Sequence, residues 1–498
     1  MNSILLNGRW QPANGAGAFR AIDPTTRAPI GEDYPISRWE DCVAAMESAQ
    51  EAAADLEEVP VDSLANFLEA YAGNLEQNAH AICEMASQET GLPIKPRLLD
   101  VEMPRTVNQL RQSAAAAKDH GWRQPIHDRD NNIHSCLTPI GPVLVLGPNN
   151  FPLAFNAISG GDFAAAIAAG NPVIAKAHPS QPGTSRLLAE QAAAAAKSAG
   201  MPDGMVQMLY EIAPDDGLKM VADRRIAAVA FTGSQRAGTA LKAVADRVGK
   251  PIYLEMSSLN PVFLLESALE NGESMVEQAA GSCLLAAGQF CTSPNLIVVL
   301  KGPKADAFTQ SMKDAFESRP PGTLLAKTVL DSLHSNIQKL VDSGAKILTG
   351  GSEANGSAFS FANTLMAVDS EVFLQNADAL QTEAFGPAAM IVMCDTEAQM
   401  MSIAKSVHGS LTATVYGAAD DRMMSVLTGL LQRIAGRILH NKMPTGVAVS
   451  PAMNHGGPFP ATGHPRFTSV GIPASLERFT KLSCYDNVDS CFLPVCLR

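Results

Sequence analysis

Between residues 142 and 265 the chain alternates short apolar runs with helix-forming segments, and this alternation constrains the fold more than any other feature. Short continuous apolar runs predict buried strands, and longer stretches with apolar residues at helical spacing predict helices. We place strands at 143–146, 173–176, 206–209, 228–231 and 252–254, and helices at 153–169, 184–199, 215–223 and 235–248. Strands and helices in this order predict a parallel, doubly wound sheet of the nucleotide-binding kind.

A second alternation starts near Pro261 and continues to about residue 450. It contains a predicted helix at 273–287, a strand at 296–300 and a helix at 305–317. The fold class is therefore α/β, with two lobes that we expect to meet near Glu255 and Cys291.

The remaining segments are expected to be short strands and helices at the periphery. Residues 1–35 predict edge strands and turns, and residues 37–120 predict several helices. The polar stretch 121–139 predicts a hairpin, and the tail from about residue 475 holds one more β-prone piece at 482–485. A tail strand of this kind can pair within the chain or with the sheet edge of a partner.

The composition excludes several classes of function. Of the 498 residues, 46% are hydrophobic and 17% charged, which is typical of a soluble globular protein. The net charge of −13 disfavours general nucleic-acid binding, because phosphate contacts need clustered Lys and Arg. We find no membrane-length apolar run and no signal-peptide pattern. The nine cysteines include no Cys-x-x-Cys pair and the ten histidines form no zinc-type cluster, so we expect a cytoplasmic protein without a catalytic metal.

Cys291 lies in a predicted break between regular elements. Gly288 ends an Ala- and Leu-rich helical segment, Pro294 prevents the helix from resuming, and the cysteine stands between them. A thiol in such a break is a candidate nucleophile if a nearby base activates it. The alternative is a buried, inert cysteine, which is common for free thiols. Cys283 falls within the helical segment, and we interpret it as structural.

Two polar side chains are candidates for serving such a thiol. Glu255 ends an apolar strand, and a buried carboxylate either finds a partner or has a raised pKa, which suits a general base near neutral pH. Asn150 precedes Phe151-Pro152, and its amide is a candidate oxyanion donor together with the backbone N–H of Cys291. For both residues the alternative is a cap on the segment that follows.

Two strand ends and one loop are candidates for nucleotide binding. Lys176 ends a predicted strand, and Gly233-Ser234 form a glycine turn before a helix, a place that favours phosphate. Glu383 and Phe385 lie in a loop with Gly and Pro, where a carboxylate can accept hydrogen bonds from ribose hydroxyls. The alternatives are that Lys176 is simply exposed and that Glu383 and Phe385 lie in an ordinary loop. The turn at Gly233-Ser234 is a weak signal, because it lacks the Gly-x-Gly-x-x-Gly pattern.

Together, and in this order, these motifs resemble the aldehyde dehydrogenase superfamily over nearly the whole chain. The resemblance implies a Rossmann-like cofactor domain (1–120 and 140–257), a catalytic domain (258–450) and a small β element for bridging and oligomerisation (121–139 and 475–498). It also implies a homodimer or homotetramer. In such an enzyme Cys291 is the nucleophile, Glu255 the general base and Asn150 the oxyanion donor.

The same resemblance implies a nicotinamide cofactor. Lys176 then contacts the adenosine ribose, Gly233 and Ser234 form the phosphate turn, and Glu383 and Phe385 hold the nicotinamide ribose and ring. A narrower likeness is to the branch of 2-oxoglutarate semialdehyde (2,5-dioxopentanoate) dehydrogenases and NADP-preferring fatty aldehyde dehydrogenases. Three segments carry it: 176–185, 260–263 and 455–462.

The chain departs from the family pattern in ways that bear on the cofactor. Ser257-Ser258 stand where most members have Gly-Gly, and a Cβ there is expected to crowd the backbone beside the nicotinamide. Pro179 replaces a glutamate that many NAD-using members place on the adenosine ribose, which favours NADP. Against this, Glu211, Asp215 and Asp216 follow the next strand with no Arg or Lys beside them. We expect NADP to be preferred and NAD tolerated.

The expected reaction is oxidation of a small-molecule aldehyde to its acid through a Cys291 thiohemiacetal and thioester, with 2-oxoglutarate semialdehyde or a related semialdehyde as substrate. The alternatives are a long-chain or broad-specificity NADP-dependent aldehyde dehydrogenase and a cofactor-independent cysteine hydrolase or acyltransferase. The hydrolase normally pairs its thiol with His, and no His is close to Cys291 in sequence. Candidates for the substrate pocket are Phe151, Phe155, Phe290 and Phe459, with Arg466 or His455 for a substrate carboxylate.

Overall fold

The structure is a computed structural model, and residues 1–464 and 466–498 are described. Their strands, numbered in chain order, are β1 (Ile4–Leu6), β2 (Arg9–Gln11), β3 (Gly17–Ile22), β4 (Pro29–Ser37), β5 (Ile126–Asp128), β6 (Ile133–Pro139), β7 (Val143–Leu146), β8 (Val173–Lys176), β9 (Val206–Leu209), β10 (Glu211–Ile212), β11 (Ala228–Thr232), β12 (Ile252–Glu255), β13 (Val262–Leu264), β14 (Leu296–Leu300), β15 (Lys346–Thr349), β16 (Thr364–Asp369), β17 (Ala388–Cys394), β18 (Ser410–Tyr416), β19 (Ala435–His440) and β20 (Thr480–Asp486).

The α-helices of the same residues connect and cover these strands. They are α1 (Trp39–Asp55), α2 (Val61–Gln77), α3 (Ala79–Thr90), α4 (Met103–Lys118), α5 (Gly161–Ala168), α6 (Pro182–Ser198), α7 (Pro214–Ala222), α8 (Gln235–Arg247), α9 (Gly272–Leu284), α10 (Pro303–Ser318), α11 (Lys327–Asp342), α12 (Ser370–Gln375), α13 (Ala377–Leu380), α14 (Glu397–Ser406), α15 (Arg422–Leu431) and α16 (Ala474–Glu477). None of these helices combines the length and the apolar character needed to cross a bilayer.

The first large sheet confirms the predicted alternation. It has seven strands in the order β12-β11-β7-β8-β9-β1-β2, and the five strands predicted from the sequence pair in parallel with one another. Their residues are almost all buried, because helices cover both faces of a doubly wound sheet. The carboxyl ends of these strands lie at one edge, where ligands of such sheets bind. Lys176 and Glu255 are both terminal residues at this edge.

A second seven-stranded sheet, in the order β15-β16-β17-β14-β13-β18-β19, confirms the second alternation. Its strands are parallel except for the β15–β16 pair. Separate apolar clusters pack against it, one around Phe263, Leu296 and Val392 and another around Ile297, Met312 and Ile391. The sheet is therefore the centre of a second α/β unit, as the sequence predicts.

Two small sheets complete the fold. β4 pairs on one side with β3 and on the other with β10, and β6 pairs on one side with β5 and on the other with the tail strand β20. The predicted hairpin at 121–139 and the predicted tail strand thus belong to one sheet. Its outer strands carry exposed apolar side chains, with Ile126 62% and Leu482 70% accessible.

The predicted helix at 153–169 is wrong over its first half, because α5 begins only at Gly161. The backbone N–H groups of Leu153 and Ala154 donate instead to Glu102 Oε1, at 2.8 and 2.9 Å. Glu102 is fully buried and forms an ion pair with Arg97. A buried carboxylate that takes two backbone donors replaces the hydrogen bonds of a helical turn, and this contact is invisible in the local sequence.

Candidate active site

The segment before Cys291 leaves the helical path earlier than the sequence suggests. Helix α9 ends at Leu284, and Ala286, Ala287 and Gly288 then adopt left-handed backbone conformations with φ of 49°, 54° and 69°. Only glycine adopts this region without cost, so two alanines here mark a turn held by its surroundings. A Cβ on Gly288 would lie 1.9 Å from Gly386 O, in the loop of Glu383 and Phe385. The close approach therefore joins the nucleophile loop to the predicted nicotinamide-binding loop.

Asn260 fixes the loop on the other side of Cys291. Its amide donates to the carbonyls of Cys291 and Ser293, at 2.8 and 2.9 Å, and its Oδ1 accepts from Thr412 in β18. Cys283 in α9 lies against Pro294 O at 3.4 Å and is buried, which agrees with a structural cysteine. The thiol of Cys291, by contrast, remains partly accessible.

The structure brings Glu255 and Cys291 together around a third residue, His455. His455 Nε2 lies 2.9 Å from Glu255 Oε1 and 3.4 Å from Cys291 Sγ. Ser469 Oγ donates to the other carboxylate oxygen at 3.1 Å. Glu255 and His455 are each only 1% accessible. The predicted base and nucleophile thus face each other, with an imidazole between them that the sequence did not assign to this role.

The three donor atoms of Glu255, Cys291 and His455 all lie within 4.8 Å of one another. Carboxylate, thiolate and imidazole are zinc ligands, so this set has the chemistry to hold a metal ion. The residues are far apart in sequence, which is why no zinc-type spacing was visible. Glu255 and His455 in this cluster are buried, and Cys291 is partly accessible.

The pKa values of the cluster have opposite shifts. Burial alone would raise the pKa of Glu255, but the adjacent His455 and the side-chain hydrogen bonds with His455, Ser469 and Cys291 outweigh burial and lower it. The sequence left two outcomes open for this carboxylate, a partner or a raised pKa. The structure shows the partner, His455. Burial, followed by the negative charge of Glu255, raises the pKa of the Cys291 thiol well above its usual range. The resting state is a thiol beside an ionised carboxylate.

Asn150 reaches the same loop from the segment before Phe151. Its Nδ2 donates to Gln289 O, two residues before Cys291, at 3.0 Å, so it does not cap the segment that follows. Arg97 Nη2 donates to the carbonyl of Asn150 at 3.2 Å and fixes its backbone. Among the described residues, the N–H of Cys291 has no protein acceptor. The side chain of Asn150 therefore contacts the short loop that carries Cys291, which brings the two predicted oxyanion donors together.

Three predicted cofactor residues, Lys176, Gly233 and Ser234, lie at the carboxyl edge of the first sheet. Lys176 Nζ is 2.5 Å from Glu211 Oε2, so a carboxylate already stands where an adenosine ribose is expected. Ser234 caps α8, its Oγ accepting from Ala237 N at 3.3 Å, and Gly233 N donates to Glu255 O at 3.0 Å. A helix N-terminus and a lysine at this edge fit the phosphates and ribose of a dinucleotide.

Glu383 lies near the two serines that replace the family glycines. Burial raises its pKa to about 7, opposed by hydrogen bonding to the Ser257 side chain and the Ser258 backbone. Ser258 Oγ donates to Asn260 Oδ1 at 2.8 Å and accepts from Leu411 N. Its hydroxyl is therefore already hydrogen-bonded to residues of the second α/β unit. The side chain of Ser257, by contrast, hydrogen-bonds Glu383 in the predicted nicotinamide-binding loop. Phe385, two residues after Glu383, is partly exposed.

An aromatic cluster adjoins the reactive groups. Phe151 packs edge-on against Phe155 and Phe290, with ring centroids 5.3 and 5.1 Å apart, and Phe155 lies 6.0 Å from the His455 ring. Val470 completes the buried part of the cluster. Phe459 does not belong to it, being 60% accessible, and Arg466 is an exposed residue that pairs with Glu477. The proposed carboxylate contact of Arg466 is therefore wrong.

Comparison with known proteins decides the family. The sequence pattern of the "Aldehyde dehydrogenase family" matches residues 10–482. The chain belongs to the aldehyde dehydrogenase family. It is an NAD(P)-dependent aldehyde dehydrogenase, which acts on small-molecule aldehydes, and the resemblance inferred from the motifs is confirmed.

Relatives in sequence and in structure agree with this assignment. The chain is 37% identical to alpha-ketoglutaric semialdehyde dehydrogenase 2 of Azospirillum brasilense, over 98% of this chain and 95% of the relative. It is 34% identical to alpha-ketoglutaric semialdehyde dehydrogenase of Acinetobacter baylyi, over 99% and 95%. Lactaldehyde dehydrogenase of Escherichia coli shares the fold with a TM-score of 0.85, at 22% identity over 97% and 98% of the two chains. The predicted fold class is confirmed.

Proposed function

We propose that Cys291 attacks the aldehyde carbon and that Glu255 later activates the water that releases the acid. The observation that supports this assignment most directly is the convergence of Cys291, Glu255 and the Asn150 amide on one loop and one strand end. Attack converts the carbonyl oxygen to an oxyanion. The Asn150 amide and the Cys291 N–H are placed to donate hydrogen bonds to it.

The proton of the Cys291 thiol must leave as the carbon–sulfur bond forms. The same ring nitrogen of His455 lies near both Glu255 and Cys291, and it can donate its hydrogen to only one of them at full strength. With Glu255 ionised, that hydrogen points to the carboxylate, so we propose that Glu255 accepts the thiol proton, passes it to solvent and is then free to activate water, while the hydrogen bond from His455 holds the carboxylate in place. His455 therefore acts differently from the histidine of a Ser-His-Asp triad, which uses its two ring nitrogens for two partners.

NAD(P), when bound, supplies the hydride acceptor that turns the hemithioacetal into a thioester. We propose that Lys176 and Glu211 hold the adenosine ribose, Gly233 and Ser234 the phosphates, and Glu383 and Phe385 the nicotinamide ribose and ring. The replacement of a family glutamate by Pro179 favours NADP, whereas the Glu211 carboxylate repels a 2′-phosphate. We propose that both cofactors are used. Glu211→Gln should raise the ratio of NADP to NAD in kcat/KM, and an unchanged ratio would remove Glu211 from the ribose site.

For the substrate we propose 2-oxoglutarate semialdehyde or a related semialdehyde with a carboxylate. The names of the two relatives at 34–37% identity support it. The test is a steady-state comparison of 2-oxoglutarate semialdehyde, succinic semialdehyde and a long-chain aldehyde with both cofactors. A higher kcat/KM for the long-chain aldehyde would favour the alternative, a long-chain or broad-specificity enzyme.

A cysteine hydrolase or acyltransferase is the second candidate activity of the same site. His455 beside Cys291 supplies the thiol–imidazole pair that such enzymes need and that the sequence did not show. Hydrolysis of a reactive ester without cofactor measures this activity. We expect it to be a side reaction, slower than aldehyde oxidation, because the family of the chain is that of dehydrogenases.

We also propose that the chain forms a homodimer or homotetramer through the sheet of β5, β6 and β20. Its outer strands expose Ile126 and Leu482, and unpaired strand edges with apolar side chains are places where another chain adds. Light scattering of the purified protein gives the oligomer size. Leu482→Lys should shift the population towards the monomer.

A further inference from the structure

Arg105 is a partly buried cation without a carboxylate partner among the described residues. It lies in the first turn of α4, where its Nε donates to Gln109 Oε1 at 3.1 Å and its Nη1 to Val447 O at 2.6 Å. Its Nη2 is buried and has no hydrogen-bond partner. Among the described residues no Asp or Glu forms an ion pair with it. The neighbouring Arg97, by contrast, is paired with Glu102.

A guanidinium that is partly buried and keeps a buried N–H without an acceptor is costly, so its retention calls for a ligand. Burial lowers the pKa of Arg105, and the nearby acidic groups Glu102, Cys291 and Glu255 only partly offset this. Arg437 is a second guanidinium of this kind. It donates only to the carbonyls of Gly446 and Pro444, and its buried Nε is unpartnered. Arg437 Nη1 donates to Gly446 O, next to the Val447 carbonyl that accepts from Arg105, and Gly446 N donates to Thr292 Oγ1, one residue after Cys291.

Arg105 lies beside the aromatic cluster that adjoins Cys291. Its Cζ lies 5.3 Å from the Phe155 ring centroid and 5.8 Å from that of Phe151. These rings contact His455 and Phe290, respectively, and Phe290 directly precedes Cys291. An aldehyde that reaches Cys291 along this cluster passes an unpaired N–H of a guanidinium.

We propose that Arg105 binds the distal carboxylate of the aldehyde substrate, with Arg437 adding positive charge. The inference deepens the proposed function and rests on it, since it assigns the residue that selects a semialdehyde with a carboxylate. A guanidinium presents several N–H donors to a carboxylate in a planar arrangement, and Arg105 Nη2 is the donor still free. Arg105 takes the role for which Arg466 and His455 were the candidates in the sequence.

The experiment compares a semialdehyde bearing a carboxylate with an uncharged aldehyde of the same chain length. Succinic semialdehyde and butanal form such a pair. In Arg105→Gln, kcat/KM for succinic semialdehyde should fall by about 30-fold or more, mainly through KM, because losing one partner of a buried charged pair costs at least about 2 kcal/mol. The value for butanal should change by less than about threefold. Arg105→Lys, which keeps the charge but not the planar N–H array, should fall between wild type and Arg105→Gln.

Arg466→Gln is the matched control, because it removes an exposed guanidinium and should leave both aldehydes unaffected. An equal loss for both aldehydes in Arg105→Gln, with Arg105→Lys no better, would show a structural role and overturn the proposal. Equal kcat/KM in Arg105→Gln and wild type would overturn it as well.

Inhibition by succinate, which has no aldehyde, separates this proposal from the substrate assignment. Succinate should compete with the aldehyde in the wild type, and its inhibition constant should rise in Arg105→Gln. If the wild type prefers uncharged aldehydes but succinate inhibition still depends on Arg105, the substrate proposal fails and the anion site stands. If succinate inhibition does not depend on Arg105, the anion site itself is wrong.

Discussion

The backbone of Glu255 pairs with that of Thr462 in an isolated antiparallel bridge, in addition to the contact of its side chain with His455. Met256 N donates to Ala461 O at 2.8 Å, and Gly463 N to Leu254 O at 3.2 Å. These bonds hold the segment after His455 against the end of β12. The separation of carboxylate and imidazole is therefore set by backbone pairing as well as by side chains.

Cys291→Ala should abolish aldehyde oxidation, lowering kcat by at least about 10³-fold, because the variant lacks the thiol that forms the thioester. Formation of the reduced cofactor measures the rate. Cys283→Ala is the control, since it removes a buried thiol from α9 without touching the cluster. It should keep the wild-type kcat and cost about 1 kcal/mol of stability. More than a tenth of wild-type activity in Cys291→Ala would contradict the assignment.

Asn150→Ala should lower kcat by about 10²–10³-fold with little change in KM, because an oxyanion donor acts mainly in the transition state. Asn149→Ala removes an adjacent amide and should retain kcat within a few-fold. Steady-state kinetics of the two variants suffice. Equal losses in both would indicate damage to the loop rather than loss of a specific donor.

Glu255→Gln should change thiol reactivity and turnover in opposite directions. The negative charge of Glu255 helps to raise the pKa of Cys291, so its removal should move the pH profile of alkylation by iodoacetamide to lower pH. Deacylation should slow at the same time, giving a burst of reduced cofactor followed by slow turnover. Slower alkylation at neutral pH in the variant would show that Glu255 promotes ionisation of the thiol in the resting enzyme.

Glu383 should make both stability and cofactor binding depend on pH near neutrality. Its pKa is raised from 4.5 to about 7, so the unfolded chain releases this proton earlier than the folded protein as the pH rises. The contribution of Glu383 to folding is therefore fully present below the unfolded pKa and is lost as the pH passes 7. Glu383→Gln does not lose stability in this way. Urea unfolding should therefore give a higher free energy of unfolding for Glu383→Gln than for the wild type at about pH 8, and no such difference at about pH 4.

The same titration should tighten NAD(P) binding in the wild type as the pH rises through 7, because an ionised carboxylate is the better acceptor for ribose hydroxyls. Glu383→Gln should bind more weakly with a flat profile. Fluorescence titration at several pH values gives both curves. Parallel slopes for wild type and variant would assign the pH dependence to another group.

Added Zn²⁺ should inhibit the enzyme, and a chelator should restore activity. Glu255, Cys291 and His455 offer three donor atoms within 4.8 Å, which suits zinc and blocks the nucleophile. His455→Phe removes one ligand and should raise the Zn²⁺ concentration needed for half-maximal inhibition. Mg²⁺ should have no effect on the wild type, because it prefers oxygen ligands. Equal sensitivity of His455→Phe and wild type would locate the inhibitory ion elsewhere.

The sequence predicted the sheets better than the loops because strand signals are local. A run such as Val173-Ile174-Ala175 is apolar whatever surrounds it, and β8 begins and ends as predicted. The helix predicted at 153–169 failed because its first N–H groups are taken by Glu102, which lies about fifty positions upstream. Cys291, Glu255 and Asn150 were recognised by motif, but His455 was not placed beside them. It contacts Glu255 across 200 residues, a distance at which only the folded chain reveals proximity.

That long separation also sets the order in which the protein becomes complete during synthesis. Asn150, Glu255 and Cys291 leave the ribosome well before His455, which follows Cys291 by 164 residues. The strand β20, which pairs with β6, arrives later still, since it follows His455 in the chain. A nascent chain interrupted before residue 455 thus carries the cysteine without its imidazole neighbour, and the hairpin of β5 and β6 without its third strand. Premature termination therefore yields an incomplete site and an open sheet edge at the same time.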